Sequence, residues 1–269
     1  MSELDGVPNL EVVGNAGHPA LIVQNGDFGE PPPEWAVLGE RRDALKAILP
    51  SVGRIEGSTG SFTIRGTGFM VADGVLMTNA HVAAKFTGNT NVTKPTRVDF
   101  TAELGVPGTN RVEITDVIAV HGKYDLALLR LAASGPPPLQ LSPVQPRVIR
   151  DGNVAAIGYP TRESPPANLT PFNNIFNVKR LQPGKSTGMR SQPQKPLHLG
   201  HNCSTLGGNS GSCIVDLETG LVIGLHTGGL TQNFAVPFWL ISAENIVKNL
   251  NWAVATPTPV PKQRPSRPR

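Results

Sequence analysis

Cysteine is nearly missing from this chain: Cys203 and Cys213 are the only two in 269 residues. That excludes a disulfide framework and makes a reducing, bacterial-type cytoplasm the simplest expected compartment. Long apolar runs are missing too, and none approaches the roughly 20 residues of a membrane span. The opening MSELDGVPNLEVVGNAGHP has acidic residues where a secretory signal would be basic, and no apolar run of signal length follows. A basic face is the third absence. The formal net charge of +4 equals what Lys262, Arg264, Arg267 and Arg269 carry, so residues 1–261 are close to neutral and offer nucleic acid no platform.

What the chain does have is turns. With 29 Gly and 26 Pro against 5% aromatic residues, it is expected to be all-β, built of short strands, and its 39% hydrophobic content argues against wholesale disorder. A chain of this length buries roughly 70 to 75% of its unfolded surface, which is enough for a stable core without staples. Residues 1–50 read as an arm, with PPP at 31–33, and then a docking helix that spaces Trp35, Leu38, Leu45, Ile48 and Leu49 helically. Strand-type runs follow from Val52, with Asp73-Gly74 as a hairpin turn. The proline-rich stretch at 134–146 reads as a linker, and a second set of strands begins at about 145. Ser242 suits the N-cap of a C-terminal helix over 242–255, and residues 256–269 form a Pro/Arg-rich tail that cannot build a core.

Three segments place one reactive side chain beside a β-type run: TNAHV, YDLALL and GGNSGS. In GGNSGS, Gly207, Gly208 and Gly211 permit a tight turn that exposes the Ser210 hydroxyl and aims the Gly208 and Ser210 N–H groups inward as an oxyanion hole. A serine hydroxyl is a weak nucleophile and needs a base, for which His81 is the candidate; a histidine base contributes about 100- to 10,000-fold. Asp125, followed by Leu126, Ala127, Leu128 and Leu129, suits the buried carboxylate that orients the imidazole. The order His, Asp, Ser is that of chymotrypsin rather than of subtilisin or the α/β-hydrolases.

GTGFMVADGVLMTNAHV, DLALLRL and GGNSGS resemble the signature segments of trypsin-like serine peptidases of bacterial type, over roughly residues 52–252. STLGGNSGS and VIGLHTGG are most similar to the glutamyl endopeptidase branch, with the high-temperature-requirement proteases next. The resemblance implies a chymotrypsin-like fold of two antiparallel six-stranded β-barrels, about 51–135 and 145–240, with the triad in the cleft between them and the two helices outside. It implies peptide-bond hydrolysis through an acyl-enzyme, a protein or peptide substrate and no cofactor. In the glutamyl branch the residues aligned with Thr205 and His226 line the S1 pocket, which implies cleavage after Glu or Asp. That branch also uses a freed α-amino terminus, and no maturation site is evident here. An unregulated protease in the cytoplasm expected from the leaderless N-terminus would be hazardous to its host, so a latent enzyme is expected, released by another protease or a partner, with a stress or defence role by analogy.

Four features of the sequence admit competing readings. Arg54-Ile55-Glu56-Gly57 suits either a zymogen cleavage site or a first barrel strand, and the strand is expected. His198, His201 and Cys203 lie in one strand, where H-x-x-H puts the imidazoles on opposite faces, so no metal is expected. Cys203 and Cys213 flank the nucleophile loop, and buried free thiols are the default. The alternative to an enzyme is a silent module holding a peptide in the interbarrel groove as an added strand.

Overall fold

Runs of alternating apolar residues broken by Gly, Asp and Pro fold here into strands, and the strands close into two barrels. The computed structural model describes residues 18–57, 63–88, 91–106, 108–162, 169–192, 195–228 and 233–254; the 256–269 tail and the first 17 residues of the arm lie outside these. The arm from His18 onward is more than an extended lead-in. It forms β1 (Leu21–Gln24) and β2 (Asp27–Phe28), a hairpin turning at Asn25 and Gly26, both with positive φ. The docking helix follows in two short pieces, α1 (Val37–Glu40) and α2 (Arg42–Ile48), whose Leu38, Leu45 and Ile48 are buried.

Barrel one contains β3 (Val52–Gly57), β4 (Ile64–Ala72), β5 (Val75–Thr78), β6 (Thr96–Asp99), β7 (Arg111–Val120) and β8 (Ala127–Leu131), closed in the order β3-β4-β5-β8-β7-β6. Asp73-Gly74 makes the β4–β5 turn as expected, with Gly74 at φ 63°. Arg54-Ile55 lies in mid-strand, paired with both β4 and β6, with Ile55 buried, so the strand reading of that segment holds. A short helix, α3 (Ala80–Ala84), follows β5 and carries His81. Barrel two contains β9 (Arg150–Gly158), β10 (Arg180–Gln192), β11 (Lys195–His201), β12 (Cys213–Asp216), β13 (Val222–Thr227) and β14 (Asn233–Pro237). Pairing of β10 with both β9 and β11 closes it as a second six-stranded ring, and β1 adds to the first residues of β10.

Strand alternation divides the apolar residues between clusters. On β4, Met70 joins the cluster of barrel one, while Phe69 and Val71 join a larger one that also holds α1, α2 and residues of barrel two. Cys213 belongs to that larger cluster and Cys203 to a separate one with Val154 and Ile214. The two thiols therefore face different packing, and both are buried and free. Burial pushes each up to about 12, opposed only weakly by backbone hydrogen bonds, so neither is a thiolate.

The C-terminal helix expected over 242–255 is not there. Three successive turns replace it, with Glu244, Val247 and Leu250 N–H each donating to the carbonyl three residues back. Asn245, Asn249 and Asn251, with β-branched Ile246 and Val247, weaken a helix. A tertiary alternative wins: Leu141 in the proline-rich linker exchanges backbone bonds with Asn251 and Ala253, and Asn251 donates to Val71 of β4. The linker and the C-terminal segment thus strap the two barrels together.

Candidate active site

The candidate base, His81, is set by a helix start. Asn79 precedes α3, its carbonyl accepting from Ala83 N–H and its amide donating to the Asp125 carbonyl at 2.8 Å, so the two loops are tied before any catalytic atom is considered. Asp125 then grips His81 twice. Its Oδ1 accepts the His81 backbone N–H at 3.0 Å, and its Oδ2 lies 2.6 Å from Nδ1. Thr227 Oγ1 donates to the same Oδ2 at 3.0 Å. Burial alone would raise the Asp125 carboxyl, but the His81 hydrogen bonds and charge, with the Thr227 hydroxyl, outweigh it and hold the group below the usual carboxylate range. An anionic Asp125 fixes the proton on Nδ1 and leaves Nε2 as the basic atom. Nε2 is buried and has no hydrogen-bond partner in this structure.

Ser210 reaches the same neighbourhood through backbone bonds. Gly211 N–H donates to the His226 carbonyl at 3.1 Å, one residue before the Thr227 that binds Asp125. From the other side, Thr67 N–H donates to the Ser210 carbonyl at 2.9 Å and Thr67 Oγ1 to the Gly208 carbonyl at 2.7 Å. The approach is close enough to dictate glycine. A Cβ on Gly211, at φ 92°, would meet the Thr67 carbonyl oxygen at 2.0 Å, and one on Gly66 would meet the Ser210 carbonyl at 3.0 Å. Gly208, at φ 87°, is third in a turn closed by Asn209 N–H to the Leu206 carbonyl. Asn209 is locked inward by Gln182 Nε2, which donates to its Oδ1 at 2.7 Å.

Thr205 and His226, the expected S1 residues, are both buried beyond solvent reach. The His226 ring packs edge-on against His201, with Nδ1 3.0 Å from His201 Nε2. Burial first, and then the charge on His81, lower His226 to about 3, and burial and His226 lower His201 as well. Both imidazoles are neutral at physiological pH. His198 turns the opposite way, against Tyr124 and Phe234, as H-x-x-H in a strand requires. Among the described residues no group of His, Cys, Asp or Glu is arranged to hold a metal ion. The open cavity in this region, about 380 Å³, lies instead beside His81, between α3 and Val117 and Val120 of β7.

Sequence reasoning passed over Thr67, Thr227, Asn209 and Gln182. The first three sit inside the quoted motifs, and only tertiary contacts reveal their partners; nothing in the sequence marks Gln182.

Residues 66–225 match the family model of the trypsin-like peptidase domain. Among solved structures, the active form of the Rv3671c protease from M. tuberculosis is 18% identical with a TM-score of 0.56, covering 95% of this chain and 96% of that chain. Deg5 is 22% identical at a TM-score of 0.56, over 79% of this chain and 94% of that one. The HtrA-type protease AlgW with a tripeptide is 20% identical at 0.54, over 77% of this chain and 63% of that one. No curated protein matches the chain.

Proposed function

Because the chain belongs to the trypsin-like peptidase family, we propose that it is a serine endopeptidase in which Ser210 attacks, His81 shuttles the proton and Asp125 orients and stabilises the imidazole. The observation that carries this reading is the paired Asp125–His81 contact beside a Ser210 loop bolted to both barrels. Catalytic hydrogen bonds in a free enzyme are often long and tighten only with substrate, so an unpartnered His81 Nε2 fits the role. Gly208 and Ser210 N–H groups would hold the oxyanion, each donor being worth roughly 100- to 1,000-fold in kcat. A peptide substrate agrees with the family, and a solved structure of the HtrA-type protease AlgW is with a tripeptide.

Specificity for Glu or Asp at P1 rests on Thr205 and His226. The depressed His226 would recognise a carboxylate by donating a hydrogen bond rather than by charge. Latency belongs to the same proposal: with Thr205 and His226 out of reach of solvent, a P1 side chain gains them only after a movement driven by cleavage or a partner. The two free thiols suit a reducing bacterial cytoplasm, where a stress or defence role is the analogy.

The test is digestion of a proteome-derived peptide library by the wild type and by Ser210→Ala, with and without limited trimming of the N-terminus. Serine-dependent cuts after Glu or Asp support the whole proposal, and serine-dependent cuts after other residues retain the protease and remove the specificity. A chain that neither cuts nor labels with a fluorophosphonate in any form is a silent peptide-binding module.

A further inference from the structure

Arg180 is 1% exposed, yet among the described residues no carboxylate pairs with it. Main-chain carbonyls answer its two terminal nitrogens, while Nε is buried without a hydrogen-bond partner. Nη1 donates to Ala20 at 2.6 Å, and Nη2 donates to Phe172 at 2.7 Å and Ile175 at 2.6 Å. Burial lowers its pKa to about 10, still charged at any physiological pH. Burying a full charge without a counter-ion is costly, and carbonyl dipoles offset the cost only while they stay aimed at it. The cation therefore clamps two segments that also touch through the Ala20 N–H to Pro171 carbonyl bond: the N-terminal arm at Ala20, and the 169–177 loop, where Asn173, Asn174 and Asn177 take left-handed φ.

Those two segments form the wall behind the oxyanion turn. Ala20 and Phe172 pack with Leu206 in one apolar cluster, and Leu206 supplies the carbonyl that closes the Gly207-Gly208 turn. A polar route runs in parallel: Asn177 N–H donates to the Pro160 carbonyl, and the next residue, Thr161, binds the Gly207 carbonyl with its N–H at 2.7 Å and its hydroxyl at 2.8 Å. The arm also touches the site directly, since Ser204 Oγ donates to the His18 carbonyl.

We propose that Arg180 is a positioning residue for the oxyanion turn, and that residues 18–24 of the arm belong to the competent site instead of inhibiting it. This rests on the serine-peptidase reading and restricts it: an activating cut has to fall before His18, and trimming beyond Ala20 inactivates.

The experiment compares full-length wild type with Arg180→Lys, Arg180→Met and Phe172→Leu. Lysine keeps the charge but cannot span both segments, and Phe172→Leu loosens the apolar route while leaving the cation. Each is read by thermal unfolding, by hydrogen exchange of the 204–210 amides, and by kcat, KM and the pH profile of peptide cleavage. The expected result is a folded Arg180→Lys in which exchange of 204–210 rises at least tenfold. In that variant kcat falls on the order of tenfold or more, KM changes little, and the acid limb of the pH profile stays where it was. A general loosening would move that limb as well. Phe172→Leu should move the same amides, and in combination with Arg180→Lys should add less than its separate effect. Folded Arg180 variants with wild-type kcat or wild-type exchange at 204–210 overturn the inference. If neither Arg180 variant folds, Phe172→Leu decides by the same two readings. A wild type with no activity in any form would instead sink the peptidase reading, while the exchange measurement still decides the role of Arg180.

Discussion

Asp125 makes three contacts that suit the role proposed for it better than its burial does, since the His81 N–H, His81 Nδ1 and Thr227 hydroxyl all converge on one carboxylate. Asp125→Asn keeps the shape but favours the wrong tautomer, so kcat should drop by about 10,000-fold with the fold intact, read by peptide cleavage beside circular dichroism. The depressed carboxyl also sets a pH window. Its folded pKa lies below the ordinary 3.8, so its stabilising contribution is present above that value and lost as pH falls through the folded one. His226 carries a second signature at the residue scale. Lowered from 6.5 to about 3, it stays neutral in the folded chain while the unfolded chain takes up a proton, so stability declines as pH falls across that window. Urea unfolding of His226→Gln between pH 7 and 4 should show a flatter decline than the wild type, and its library cuts should no longer favour Glu or Asp.

Strand β4 is the element that makes the site. Its Gly66-Thr67-Gly68 run meets the Ser210 carbonyl, the Gly208 carbonyl and Leu76 at distances where a side chain at either glycine forces its neighbours to shift. Thr67→Val keeps the packing and removes the hydroxyl that holds the Gly208 carbonyl and accepts from Tyr159 N–H. Stability should fall by about 1–3 kcal/mol, because a buried N–H loses its partner. Activity should fall by less than the roughly 100- to 1,000-fold of a deleted oxyanion donor, since the donor is misplaced rather than lost. Two glycines with positive φ make a cleaner contrast. Gly74→Ala meets nothing within 4 Å and should cost only the left-handed backbone term of about 1–2 kcal/mol, with fluorophosphonate labelling unchanged. Gly211→Ala drives its methyl into the Thr67 carbonyl and should abolish labelling.

Across the described residues, the barrels are joined by apolar packing, the linker strap, the Thr67 bonds to the Ser210 loop and the buried Lys179. Lys179 is fully buried, and its Nζ donates to the Leu49 carbonyl at the end of the docking helix, to the Phe100 carbonyl of barrel one, and to Glu103 Oε1 at 3.4 Å. Glu103 in turn accepts the Gly26 N–H of the arm. Burial, opposed by Glu103, lowers Lys179 to about 8. Between there and its ordinary 10.5 the unfolded chain holds a proton that the folded chain has released, so this group makes stability rise with pH in that interval. Lys179→Met leaves Glu103 and two carbonyls unanswered and should cost about 3–5 kcal/mol near neutrality. Denaturant melts should show the gap between wild type and variant widening from pH 8 to 10.5; a constant gap would mean Lys179 is not the titrating group.

The sequence by itself determined the parts whose logic is local. Alternating runs and Gly/Pro punctuation specify the barrel strands, Asp73-Gly74 their turn, and the flanks of His81, Asp125 and Ser210 the chemistry those residues suit, because turn chemistry and strand alternation act over a few neighbours. Trp35 through Leu49 declared a docking helix by the same rule. Tertiary structure decided everything that required a distant partner. The Ser-capped 242–255 segment reads as helix until Leu141 and Val71 offer it backbone bonds, and no propensity registers that competition. The arm reads as loose chain until β10 offers it an edge. The thiols flanking the nucleophile loop are buried and free as expected, and only the packing shows that they sit in separate clusters. Nothing local to Lys179 and Arg180 marks them, and only the closure of barrel two against the arm and barrel one buries them among carbonyls from four segments. A charge acquires its meaning from what surrounds it, and that is settled when the chain closes.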